Sequence, residues 1–243
     1  MSAEKSTETR ERILRAAARL LADGGSEALS TRAVGAAAGV QAPTLYRVFG
    51  DKDGLLDAVA GYGFERYLAD KHAMATTGDP VDDLRRGWDM HVDFGLTHPA
   101  FYVLMYGTVR PGHRPSAAGD AYAMLRAMVE RTARAGRLRI PVDDAAQMIQ
   151  ATSSGVTLAL ISAPAEARDP GLSDLVRDTV LAALTTDLRP AGAQSTGPDS
   201  GDATVAVHAL ALNAALDERP TALSPTETAL LREWLERLAS HRT

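Results

Sequence analysis

The chain has 243 residues, 45% of them apolar and 23% charged, which is enough to build a core and too apolar for bulk disorder. It contains no cysteine, which excludes disulfides, cysteine-based zinc sites and a thiol nucleophile. The net charge of −5 argues against indiscriminate coating of nucleic acid, yet the charge is uneven: residues 1–52 carry eight Lys/Arg against six Asp/Glu, a net +2 that leaves −7 on the remainder.

Met1 to Arg12 is polar and charged, so no secretory signal is expected there. The apolar stretch Gly155 to Ala165 is too short to cross a bilayer. A cytoplasmic protein without a membrane partner is expected. Ile13, Ala17, Leu20 and Leu21, with Leu14 beside them, mark one face of an amphipathic helix that Asp23-Gly24-Gly25 ends. Glu8–Arg12 and Glu11–Arg15 stand at favourable i,i+4 spacing on its surface. Ser30 reads as an N-cap for a short helix over Thr31 to Ala38, stopped by Gly39. A second short helix runs from Ala42 to Phe49, with Pro43 in its first turn. Asp51 caps a longer helix carrying Leu55, Leu56, Val59, Tyr62 and Leu68.

Gly/Pro punctuation then separates helices over Val81 to Thr97, Pro99 to Tyr106, Ala117 to Ala135, Val142 to Ile161 and Leu172 to Leu188. No stretch alternates with period two for long enough to suggest a sheet, so the fold class is all-α. Arg189 to Ala203 is rich in Pro, Gly and Ser and reads as a linker. Two more helices follow. The last opens on Ser224-Pro225-Thr226-Glu227, a capping box with Pro at N1, and carries Leu230, Leu231, Trp234, Leu235 and Leu238 on one face. That face needs a cover: the protein's own body, a dimer interface or another protein.

Two short helices joined by a tight glycine turn describe a helix-turn-helix, whose second helix enters the major groove. Thr44, Tyr46 and Arg47 are its polar groups here, and Leu45, Val48 and Phe49 its inward anchors. Lys52 opens the next helix, where its ammonium and the helix N-terminus can meet one phosphate.

The segments "STRAVGAAAGV" and "PTLYRVFGDKDGLLDAV" resemble the DNA-binding head of the TetR/AcrR family of bacterial transcriptional regulators, over roughly Arg10 to Tyr62. The resemblance implies an N-terminal three-helix head on a larger helical ligand-binding and dimerisation body. The corresponding domains are a DNA-binding domain at 1–53, an effector-binding and dimerisation domain at 54–188, a linker at 189–203 and a helical extension at 204–243. It places Thr31 and Arg32 at the start of the scaffold helix, facing backbone or bases. It places Gln41, Ala42, Pro43, Thr44, Tyr46 and Arg47 on the DNA-facing surface of the recognition helix. Thr44, Tyr46 and Lys52 would grip phosphates, and Arg47 a phosphate or a guanine. Val48, Gln41 and Gly54 depart from the residues common in the family, and Gly35 inside the scaffold helix costs about 1 kcal/mol against Ala unless a close helix crossing requires it.

The implied function is a sequence-specific repressor. It binds a palindromic double-stranded DNA operator as a homodimer and is released by a small apolar or amphipathic effector. Pocket candidates are Trp88, His91, Phe94, Tyr102, Met105, Tyr106, Tyr122, Gln147, Met148 and Thr152, residue types that suit such a site and equally fill a core. Val142 to Ile161, with Ala151, Ser153, Ser154, Gly155 and Ala159, and Leu172 to Leu188 fit a dimer interface or an internal core.

No cofactor is expected. Asp89, His91 and Asp93 invite a metal reading, but spacing of two turns His91 about 200° away from the carboxylates. Asp82-Asp83 and Asp143-Asp144 sit where acids complement a helix dipole. No G-x-S-x-G elbow or P-loop occurs, and Gly61-Tyr62-Gly63-Phe64 lacks the third glycine of a dinucleotide motif. The alternatives are a helical scaffold or interaction protein and a cofactor-free helical enzyme, neither of which would bind an operator.

Overall fold

A computed structural model describes residues 2–107, 116–169, 171–186, 200–216 and 223–240. Among them the secondary structure is helical: α1 (Ser2–Gly24), α2 (Thr31–Ala38), α3 (Ala42–Phe49), α4 (Lys52–Ala73), α5 (Pro80–Thr97), α6 (Pro99–Tyr102), α7 (Ser116–Arg134), α8 (Val142–Ser162), α9 (Gly171–Leu184), α10 (Ser200–Ala215) and α11 (Pro225–Ser240). No named strand occurs among the described residues; one isolated antiparallel bridge joins Leu138 and Thr185. No described helix is long and apolar enough to cross a membrane.

The described chain divides into two compact units. The first comprises residues 1–74, 92–121 and 157–164. In it, α1 buries Ile13, Leu14, Ala17 and Leu21, the stripe expected from its period, with Leu20 only half-buried. Val34 and Ala38 of α2, Leu45 of α3, and Leu55 and Val59 of α4 complete this part of the core. Farther along α4, Phe64 and Tyr67 are buried with Phe94, and the three rings lie 4.4 to 5.1 Å apart between centroids. Aromatic pairs at such distances add roughly 0.5–1.5 kcal/mol beyond their area. The expected helix over Pro99 to Tyr106 ends as an α-helix at Tyr102 and continues as a π turn, Val103–Gly107.

The second unit comprises residues 75–91, 122–156 and 165–243. Trp88 is buried, and its indole Nε1 donates to Ser173 Oγ at 3.0 Å, satisfying the polar handle of a large apolar side chain. Arg177 bonds Asp174 at 2.8 Å and Asp178 at 3.0 Å and also reaches Asp89. Asp83 is buried, accepts from the Thr77 backbone N–H at 2.8 Å and has Arg131 at 3.8 Å.

Helix α9 stops at Leu184, short of the expected Leu188. Thr185 enters the bridge with Leu138, and the side chains of Arg137 and Arg139 donate to the Thr186 and Thr185 carbonyls. Those carbonyls therefore need no further helical turn. The expected linker at 189–203 is shortened at its far end, because α10, which buries Val207, Ala209 and Leu210, begins at Ser200; its residues 189–199 lie outside the described residues.

The capping box at Ser224 forms: the hydroxyl accepts from the Glu227 N–H, and the Glu227 carboxylate accepts from the Ser224 N–H at 2.8 Å. Of the apolar face that follows, Leu235 is buried, while Leu230, Trp234 and Leu238 stay 44 to 52% exposed.

Candidate nucleic-acid interface

The interface starts with two short helices and the turn between them. Ser30 caps α2, its hydroxyl accepting from the Ala33 N–H at 3.1 Å, a contact worth about 1 kcal/mol. Gly39 ends α2 at φ 64°, a left-handed conformation that a side chain resists. Gly35 earns its place in the helix through contact: a Cβ there would lie 2.9 Å from the Val40 carbonyl oxygen. The Arg12 guanidinium of α1 donates to the Ala38 carbonyl at 3.1 Å, fastening the C-terminal end of α2. Glu11 and Arg15 form their expected pair at 3.3 Å.

Gln41 stands at the N-cap of α3, and its side chain makes no capping bond; its departure from a capping residue is therefore real. The eight residues of α3 have one buried side centred on Leu45. Leu45 is buried, and Val48, Phe49 and Thr44 are half-buried. Pro43 and Arg47 fall on the opposite side and Tyr46 on the flank, as the 100° step between residues requires; all three are exposed, as is Ala42 in the first turn, which shares the side of Leu45. Gln41, Arg32 and Lys52 are exposed as well, and Thr31 is half-buried. Tyr46, at 49% exposure, is a large ring presented to solvent. Of the nine residues singled out from sequence, seven are exposed on α2, α3 and the start of α4, and Thr31 and Thr44 are half-buried.

Asp51 caps α4, accepting from the Gly54 N–H at 2.7 Å. Gly54 is a necessity: a Cβ at that position would sit 2.1 Å from the Phe49 carbonyl oxygen. It holds the end of α3 against the first turn of α4, and so sets where Arg47 stands relative to Lys52. Behind α3, the Arg10 guanidinium lies 5.7 Å from the Phe49 ring centroid. A cleft of about 430 Å³ is lined by Arg10, Phe49, Asp57, Tyr62, Glu65 and Asp120. Asp57 of α4 accepts from the Ser116 backbone N–H at 3.0 Å, capping α7 across the chain.

The ten expected pocket residues divide between the two units. Phe94, Tyr102 and Met105 are buried and Tyr106 half-buried in the first, with Tyr102 and Tyr106 rings 4.8 Å apart. In the second, Trp88 and His91 are buried, Tyr122 and Thr152 half-buried, and Gln147 and Met148 exposed on α8. Sequence reasoning missed Lys71. It is only 7% exposed, and its ammonium donates to the Tyr67 hydroxyl at 3.1 Å. Burial pulls its pKa down to about 8 and pushes the Tyr67 phenol well above its ordinary value. A single lysine near a helix end carries no sequence signal for burial. Among the described residues no group of three or more His, Asp or Glu could hold a metal ion; Asp89 faces Arg177.

Comparison with known proteins agrees with this geometry. The sequence model of the bacterial regulatory proteins of the tetR family matches residues 13–59, the stretch from the buried face of α1 to the first turns of α4. The tetracycline repressor protein class C of Escherichia coli is 42% identical over 73 residues, covering 30% of this chain and 32% of that repressor; the match thus spans about a third of the relative. A protein of unknown function from Rhodococcus sp. RHA1 has a similar structure, with TM-score 0.57 and 25% identity over 73% of this chain and 96% of that one. A TetR transcription regulator from Haloarcula marismortui shares the fold at TM-score 0.56 and 19% identity, over 74% of this chain and all of that one. The similarity to the tetR family of bacterial regulatory proteins thus lies in the helix-turn-helix head, residues 13–59.

Proposed function

We propose that the protein is a dimeric transcriptional repressor that binds a palindromic operator and leaves it when a small molecule occupies its body. The observation that carries the reading is α3: a short helix pinned by Leu45 that turns Gln41, Ala42, Pro43, Tyr46 and Arg47 to solvent, with Lys52 exposed at the N-terminus of the next helix. Such a helix fits the major groove, flanked by a phosphate clamp. Thr31 and Arg32 open α2 beside it, and Thr44 grips phosphate from the side of α3. The head's small surplus of positive charge suffices because two heads act together, while the acidic remainder limits nonspecific adhesion.

Dimerisation is assigned to α8 and α9. Met148, Ala151 and Gly155 lie one helical turn or so apart and are all exposed on α8, and Leu175 is 67% exposed on α9. Small residues at that spacing let a second helix approach closely, and an exposed leucine is what an interface would cover. Gln147 belongs to this exposed side too. The effector is assigned to the aromatic region of the first unit, around Phe94, Tyr102, Met105 and Tyr106, because α4 runs from there to Lys52. Occupancy that favours one placement of α4 over another changes operator affinity by the difference in the two binding energies. The reading assigns no catalytic residue.

Selection of DNA from a random pool, followed by titration of the winner against scrambled DNA at several salt concentrations, tests the reading. A palindrome bound by two subunits is expected. No enrichment even at low salt, with protein refolded to strip any ligand, would sink the regulator and leave a helical scaffold or cofactor-free enzyme.

A further inference from the structure

We propose that α11 is a contact between copies of this chain. Its Leu230, Trp234 and Leu238 face packs antiparallel against the same face of a second copy, about a two-fold axis at Trp234. The inference goes beyond the operator reading and does not depend on it.

Exposed apolar surface is spread unevenly over the described residues. Of nine large apolar side chains left exposed among them, six lie between Val205 and Leu238, on or beside the last two helices. Helices α10 and α11 pack on each other. On α11, Leu230, Trp234 and Leu238 stand four residues apart and so form one stripe with the tryptophan at its middle. Arg232, Glu236 and Ala239 fall on the opposite side by the 100° step, and there they line a cleft of about 440 Å³ together with residues of α7, α8 and α10. The stripe is therefore on the side of α11 turned from those three helices. Its residues are 44 to 52% exposed. A tryptophan centred among leucines is the composition of an interface core.

The order of the side chains says what covers it. Leucine, tryptophan and leucine at equal spacing read the same in both directions about Trp234. In an antiparallel two-fold pair, a residue some places before Trp234 meets the residue as many places after it in the other copy. Leu230 then meets the partner's Leu238, and the two Trp234 rings meet at the axis. The charges obey the same symmetry. Glu233 and Arg237 border one side of the stripe, pair with each other along the helix, and are 54% and 71% exposed. The two-fold axis brings each Glu233 toward the partner's Arg237 and each Arg237 toward the partner's Glu233, so both ion pairs form together. A parallel pair would instead set these charges against the apolar flank of Leu231 and Leu235. That contrast selects a second copy in the antiparallel sense.

The chain contains no cysteine, so single substitutions in the full-length protein report the register without background. Trp234→Cys should join to itself by a disulfide on oxidation with copper phenanthroline, while Glu236→Cys, on the opposite side of α11, should not. A short bismaleimide should couple Leu230→Cys with Leu238→Cys when the two chains are co-expressed, and should couple either one to itself poorly. Added Glu233→Arg should slow the mixed coupling by about three- to tenfold, and Arg237→Glu on top of it should restore the rate. The mixed coupling retains Trp234, so it decides the matter where Trp234→Cys loosens the contact it reports. Absence of the mixed product overturns the proposal and leaves the stripe to a segment of its own chain or to another protein. Coupling of Leu230→Cys with itself in place of the mixed product overturns it as well, because that product requires parallel helices.

Discussion

The two ends of α4 carry the same side chain in opposite circumstances. Lys52 begins the helix in solvent, beside the exposed face of α3. Lys71 ends it inside the protein, against Tyr67. At the first end the charge stays in water and costs nothing to keep. At the second it costs stability whenever it is present and unpaired. The difference teaches that residue type does not set the role of a lysine; the dielectric around it does. It also shows why the two need different tests, DNA at one end and a change of pH at the other.

The largest expected effect is at the head end, where geometry is least forgiving. Gly54→Ala places a Cβ 2.1 Å from a backbone carbonyl oxygen, so α3 or α4 must move. A loss of roughly 2–4 kcal/mol is expected, read as a fall in unfolding midpoint, with operator binding lost alongside. A variant as stable as the parent would mean that α3 is not seated on α4 as described.

Next comes the buried end. The Lys71 pKa falls from 10.5 to about 8 on folding. Between those values the unfolded chain holds more protons than the folded one, so stability rises with pH across that window and the full penalty applies below it. Lys71→Met should remove this dependence and stabilise the protein at pH 7 by as much as about 3 kcal/mol. Denaturant unfolding at pH 7 and pH 10 on both proteins checks it; parallel pH profiles would contradict the buried ammonium.

Smaller effects sharpen the roles of the solvent-facing groups. Arg47→Ala should cost about 1–3 kcal/mol of operator binding and relax the preference at one base pair if Arg47 reads guanine. Lys52→Ala should weaken all sequences alike and lower the salt slope by about one unit. Binding isotherms on the selected operator and its single-base variants separate the two. A uniform loss from both variants would reduce Arg47 to a phosphate contact. Asp51→Ala, which removes only the cap at the head end of α4, should cost about 1 kcal/mol in chemical denaturation.

Much of the head was legible because its determinants are local. Ser30 and Asp51 cap the helices that follow them, Gly39 supplies the turn, and the period of Leu45 against Tyr46 and Arg47 sorts one face from the other. Gly35 and Gly54 looked like departures in sequence because the atoms they spare, the Val40 and Phe49 carbonyl oxygens, become close neighbours only after the helices dock. Arg12 was read as a surface partner for Glu8, and its bond to Ala38 spans 26 residues. The tail shows the opposite failure. Its capping box formed as read, but the apolar period of α11 could not reveal that Leu235 alone of the larger face would be buried and Trp234 left half in solvent.

The sequence by itself determined the helical class, the order of the elements, the starts and stops of α2 and α3, the start of α11, and that α3 buries Leu45 while exposing Tyr46 and Arg47. Those follow from capping, glycine conformation and a 3.6-residue period, all of which act within a few residues. Only the tertiary structure decided that Lys71 is buried against Tyr67, that Asp57 caps α7 from 59 residues away, and that the pocket candidates fall into two units. Burial and long-range pairing depend on which helix faces pack together, and no local pattern in the chain encodes that choice.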